Sequence, residues 1–191
     1  MQTANVYIRQ IAFGGLFILL LVGALFLSQF LSTFDTAIQL MERAGYGGLV
    51  LLGIIGGLNV FVPIPAAVFT ELYTAAGLSV FGIILALAFG TLLADMIGFW
   101  FGQLMRVAAH TSYPKIVSFV TNIREQYTYL VLPFVGFYAA FVPFPNEAIL
   151  IPLAISGINI RYLLIPLIIG NLIHQAVLIY GLQGLFRLLG L

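Results

Sequence analysis

The stretch Phe61-Val62-Pro63-Ile64-Pro65 returns as Phe141-Val142-Pro143-Phe144-Pro145, 80 residues further on. At the same offset Gly56 falls on Gly136, Gly77 on Gly157, Leu87 on Leu167, Gly90 on Gly170, Leu92 on Leu172 and Gln103 on Gln183. Each proline removes an amide donor and clashes with the preceding turn, so no straight helix passes through Pro-x-Pro. The chain therefore reads as two copies of one broken helical unit.

The solvent in which such a unit is tolerated follows from composition. The 191 residues are 62% hydrophobic and 7% charged, with a mean hydropathy of +1.16. Too few charges are present to cover a water-soluble domain, and apolar runs longer than about 18 residues recur, as in membrane-spanning helices. The alternation of a membrane β-barrel is absent, so the expected class is an all-α integral membrane protein. The basic residues are scattered and the net charge is +1, which gives no reason to expect a nucleic-acid partner. With no cysteine, disulfides, thiolate metal sites and thiol nucleophiles are excluded.

Residues 11–34 form a charge-free run, read as a retained N-terminal transmembrane helix because the apolar core is too long for a cleaved leader. Gly14, Gly15 and Gly23 within it suit close helix packing. Asp35 to Gly48 is the first polar connection, carrying Glu42 and Arg43. Repeat 1 covers residues 46–105, with its tip at 63–65. Leu49 to Val62, the tip and Ala66 to Ala76 follow before Gly77, so between the polar connection and Gly77 lie two arms of roughly 15 residues, each about 22 Å at helical rise. That suits a hairpin that dips into the membrane and returns better than two full spans. Phe81 to Met105 is a full span.

Residues 108–126 are the longest polar stretch, where Ser112-Tyr113-Pro114 has the form of a helix cap. Ile116, Phe119, Val120 and Ile123 then recur at helical spacing, which predicts a short amphipathic helix on the membrane surface, with a solvated loop as the alternative. Repeat 2 covers residues 126–185, with its tip at 143–145 and a span from Tyr162 to Phe186 kinked at Pro166.

Topology follows by counting. A dipping hairpin makes no net crossing and the following span makes one, so the second copy must be inverted relative to the first, as in many secondary transporters. Arg9, Arg106, Lys115, Arg124 and Arg161 then share one face against Arg43 and Arg187. That asymmetry places the amino terminus in the cytoplasm. Trp100, Tyr113, Tyr127 and Tyr129 are expected as interfacial anchors.

Inversion brings the two tips, Pro63/Pro65 and Pro143/Pro145, toward each other near mid-membrane, where half-helix amino termini suit an anion. Glu71, Asp95 and Glu147 lie within apolar segments, and such acids cost several kcal/mol unless protonated, paired or hydrated. They are candidates for proton uptake and release. Glu147 equally suits a plain helix-dipole role, and the adjacent Asn146 could cap the outgoing half-helix. Asn171 and Gln175 are the repeat mates of Thr91 and Asp95, four apart on one face in each span. The two stripes line a common cavity or hold the bundle together by interhelical hydrogen bonds. His174 could exchange protons with Asp95, although a packed neutral histidine is the commoner case. No metal site, cofactor or enzymatic motif is expected.

Phe61-Val62-Pro63-Ile64-Pro65, Glu71, Ala76-Gly77 and Ala94-Asp95-Met96-Ile97-Gly98-Phe99-Trp100 together resemble the DedA family, which shares the VTT (SNARE-associated) domain. The second copy, with Ile155-Ser156-Gly157 and Gly170-Asn171-Leu172-Ile173, is similar, so the resemblance covers roughly residues 45–185. It implies facing re-entrant hairpins and a flippase- or scramblase-like role in moving phospholipids or polyprenyl phosphates between leaflets, linked to protons. The partners it implies are membrane lipids and protons, and homo-oligomerisation stays open. By position, the resemblance implies functional acids at Glu71 and Asp95. Glu71 follows Pro65 by six residues, later than the family's glutamate follows its proline-glycine. The arginines usual near the second tip are missing, with Tyr138 and Asn146 in that region. A proton-coupled exporter of small amphiphiles or ions, and a structural membrane protein, are the alternatives.

Overall fold

The computed structural model describes residues 15, 19, 22–24, 26–28, 30–58, 66–142 and 144–189, with side chains to residue 184. Every described element is helical: α1 (Asp35–Gly57), a 3₁₀ turn (Ala66–Phe69), α2 (Thr70–Ala75), α3 (Val80–Leu104), α4 (Arg106–Ser112), α5 (Pro114–Gln126), α6 (Thr128–Phe141), α7 (Glu147–Ile155) and α8 (Ile160–Leu189). Three stretches, Asp35–Gly57, Val80–Leu104 and Ile160–Gly184, are long and apolar enough to cross a membrane. The N-terminal span expected over 11–34 lies partly outside the described residues, and the described positions from 15 to 31 are helical. The first tip, with Pro63 and Pro65, and Pro143 of the second also lie outside them.

Two turns 80 residues apart have the same backbone. α2 ends on Gly77 at φ +83° and α7 on Gly157 at φ +87°. In both, the amide two residues beyond the cap reaches back to the carbonyl five before it, Leu78 to Tyr73 (3.1 Å) and Ile158 to Leu153 (3.3 Å). This Schellman closure needs a left-handed residue, which glycine adopts without strain. The spans then begin at equivalent residues, Val80 and Ile160.

Packing is repeated as well. One apolar cluster gathers Leu49, Ala67, Tyr73, Ile83 and Leu87 with Ile179 from α8. The other gathers Val135, Leu150, Leu163 and Leu167 with Leu92 and Phe99 from α3. Each core thus takes one or two side chains from the other repeat's span, and Phe99 and Ile179 are themselves repeat mates.

The arms lie at defined heights along the spans. A Cβ on Gly82 would meet the ring of Tyr46, one on Gly53 would meet the backbone of Leu87 and Gly90, and one on Gly57 would meet Thr91 and Ala94. The second half of α1 therefore starts level with the foot of α3, runs alongside it in the same direction and ends level with its middle. At the foot, the Ser79 amide donates to the Tyr46 hydroxyl at 3.2 Å, and the two hydroxyls lie 3.2 Å apart. In repeat 2, Gly170 packs on Gly136 and Ala139, and His174 bonds Ala140, so α6 runs beside α8 in the same sense. Close approach at Gly53, Gly90 and Gly170 gives dispersion contacts that Cβ atoms would prevent, which is how helices associate in apolar solvent.

One segment differs from the sequence reading, and in another the expected helix is present with a different cap. The polar connection expected over Asp35 to Gly48 is helical and joins the first arm, the chain changing direction at Gly45 (φ 52°, ψ −151°). Residues 108–126 form parts of two helices, α4 and α5. Pro114 opens α5 in its first turn, but Tyr113 takes the cap position and makes no side-chain cap; Ser112 still belongs to α4. Ile116, Phe119 and Ile123 are exposed along one side of α5, while Val117 is buried. α8 continues through Pro166.

Candidate functional site

Between the two apolar cores lies a polar cluster built from three helices. Asp95 is near the centre of α3, Asn171 is in the first half of α8, and Asn146 precedes α7 at the second tip. Asp95 and Asn171 are each 1% exposed. The Asn171 side-chain amide donates to Asp95 Oδ2 at 2.7 Å. Asn146 Nδ2 donates to Asp95 Oδ1 at 3.0 Å and Oδ2 at 3.2 Å, and to Asn171 Oδ1 at 3.3 Å. Asp95 has no ion-pair partner: among the described residues the sole ion pair is Arg124–Glu125. The hydrogen bonds to its carboxyl all come from side-chain amides.

A second link sits one turn away. Gln175 Nε2 donates to Thr91 Oγ1 at 3.3 Å, and Thr91 in turn donates to the Leu87 carbonyl at 2.9 Å. Thr91 and Asn171 are repeat mates, as are Asp95 and Gln175. The bonds 91–175 and 95–171 are therefore the same contact seen from the two halves of the chain. As the residue number rises along α3 it falls along α8. Both stripes picked out in the sequence meet here, and each makes an interhelical hydrogen bond.

Glu147 is 5% exposed and opens α7. Its aliphatic stem lies against Gly98, whose Cβ would stand 2.7 Å from Glu147 Cγ. Both carboxylate oxygens are buried without a hydrogen-bond partner. The side chain is close enough to Asp95 and to Tyr138 to interact electrostatically with both. Asn146, a candidate cap, makes no cap bond to α7; its amide is turned to Asp95 instead.

His174 is not brought to Asp95. Its Nδ1 lies 3.2 Å from the Ala140 carbonyl, one of the last four carbonyls of α6, which lack partners inside their own helix. Glu71 is half-buried on α2, and its carboxylate joins none of the bonds of the cluster. Pro145 is in place, its carbonyl facing the Tyr138 hydroxyl at 3.5 Å. Trp100, Tyr113, Tyr127 and Tyr129 are all exposed.

A shallow crevice lined by Val135, Tyr138, Asn146, Ile149, Leu150 and Leu167 reaches the cluster at Asn146. Its lining does not include Asp95 or Asn171, which are both buried. The described residues hold no group of three or more histidine, cysteine or acidic side chains that could take a metal ion. No protein family, characterised protein or solved structure matches the chain.

Proposed function

We propose that this chain is a membrane lipid transporter, flippase- or scramblase-like and coupled to protons, built as an inverted repeat of re-entrant hairpins. The observation that carries the reading is the cluster of Asp95, Asn146 and Asn171 where the two halves meet. A buried charge within apolar helices is expensive, and function is the default account of it.

Re-entry is supported by height. The first arm starts level with the foot of α3 and ends level with its middle, after which the chain must return to Val80 at the foot. α6 has 14 residues, about 21 Å of helix, against roughly 30 Å of hydrocarbon. Inversion is supported by the reciprocal bonds 91–175 and 95–171, which require α3 and α8 to run in opposite directions. The resemblance to the DedA family supplies the cargo class, phospholipid or polyprenyl phosphate, and the charge asymmetry supplies a cytoplasmic amino terminus. The small crevice favours a second reading, a proton-coupled exporter of small amphiphiles or ions.

Leaflet exchange of fluorescent phospholipid and of polyprenyl phosphate in proteoliposomes tests the proposal. The wild-type chain is expected to accelerate one of them, and Asp95→Asn is expected to abolish the acceleration while remaining monodisperse. Exchange at the protein-free rate for both lipids would remove the lipid reading and leave the exporter.

A further inference from the structure

The cluster is rich in acceptors and poor in donors. Glu147 contributes two carboxylate oxygens with no partner. Asp95 contributes two more, of which Oδ1 receives a single bond. A carboxylate offers about four lone-pair sites, so most of the accepting capacity of the pair is unused. Its own backbone amide faces Glu147 without making a hydrogen bond. Tyr138 also faces Glu147, but its hydroxyl is directed to the Pro145 carbonyl. His174 is held on Ala140. No lysine or arginine side chain bonds into the cluster among the described residues. Gly98 leaves the room in which the Glu147 stem lies, and the crevice ends on Asn146, next in the chain.

One proton on the pair would supply one donor to several open acceptors. A cation satisfies them together: a metal ion by coordination, an ammonium by three or four N–H groups. An anion would meet two carboxylates and no basic partner.

We propose that Glu147 and Asp95 form a site for a monovalent cation, delivered as a free ion or as the primary ammonium of a lipid headgroup. The free-ion source stands apart from the transport reading; the headgroup source rests on it and gives the charge of the cargo.

Thermal unfolding of the purified full chain in phosphatidylcholine nanodiscs tests the site at fixed pH and ionic strength. Sodium chloride and ammonium chloride are each titrated against choline chloride, whose quaternary nitrogen has no N–H. Above half-saturation, sodium or ammonium is expected to raise Tm by about 3–5 °C per tenfold in concentration. In choline, replacing part of the phosphatidylcholine by phosphatidylethanolamine is the headgroup arm. A rise there alone assigns the headgroup as source, and a rise with the salts alone assigns the free ion. Glu147→Gln is expected to lose the shift, and Glu125→Gln, an exposed acid on α5, to keep it. Should Glu147→Gln not fold, Gly98→Ala decides, because its methyl displaces the Glu147 stem and is expected to raise the half-saturating concentration several-fold. Equal Tm in all salts and both lipids, a full shift in Glu147→Gln, or an unchanged half-saturating concentration in Gly98→Ala overturns the site. Lipid exchange is scored separately, so a cation effect without exchange breaks the transport reading alone, and exchange without a cation effect breaks this one alone.

Discussion

The two repeats share a frame and divide the chemistry. Both close the second arm with the same glycine turn, start the span at the same residue and press the first arm on the span at Gly90 or Gly170. At the tips they part. Repeat 2 has Asn146 and Glu147 where repeat 1 has Ala66 and Ala67. Opposite them the sizes are exchanged: Glu147 lies on Gly98, while Ala67 shares a cluster with Leu178, the repeat mate of Gly98. Large against small is kept at both crossings, with the polar member at one. On the spans, Asp95 is ionisable and its mate Gln175 is not. Of these two crossings 80 residues apart, one is polar and the other apolar.

The sharpest break of this comparison is at Asp95 and Gln175. Asp95→Ala leaves the Asn171 amide without its acceptor and the Asn146 amide with Asn171 Oδ1 alone, and is expected to cost about 3–5 kcal/mol. Gln175→Ala removes one neutral bond, and about 1 kcal/mol is expected for that bond. Denaturant unfolding in mixed micelles measures both, and equal losses would mean the crossings are energetically alike. Next come the glycines. A Cβ on Gly90 would collide with the Val50 carbonyl and lie 2.8 Å from the Gly53 Cα, both backbone. On Gly170 it would meet the Ala139 Cβ and the Gly136 carbonyl, each at 2.7 Å. Gly90→Ala is expected to cost about 2–3 kcal/mol and Gly170→Ala about 1–2, by the same titration. Smallest are Gly77→Ala and Gly157→Ala, about 1 kcal/mol each for a left-handed alanine. Their difference sharpens the comparison, because an alanine at 157 must also displace the Arg106 guanidinium, 2.7 Å from its Cβ. A larger loss at 77 than at 157 would contradict it.

The repeat was legible because its punctuation is chemical: Gly77 and Gly157 sit where only a left-handed residue closes the turn. The stripes Thr91/Asp95 and Asn171/Gln175 were legible as faces, since spacing of four fixes a side of a helix. Which members bond was not, because that depends on how α3 and α8 cross. Asn146 had the local signature of a cap, yet its side-chain amide is turned to the Asp95 carboxyl and no cap bond to the helix is made. His174 went to Ala140 because a helix that stops inside the fold leaves carbonyls needing donors, and no local pattern announces that. The Asp35–Gly48 stretch read as a connection from its polarity, but polarity does not prevent helix, and its one break is Gly45. The bareness of Glu147 had no sequence signal.

Asn146 carries two amide hydrogens and serves three acceptors. A half-turn of its terminal torsion would present the carbonyl oxygen in place of the nitrogen and set acceptor against acceptor at every contact. The tie from the tip to both long helices therefore releases as a whole or holds as a whole, through the rotation of one bond.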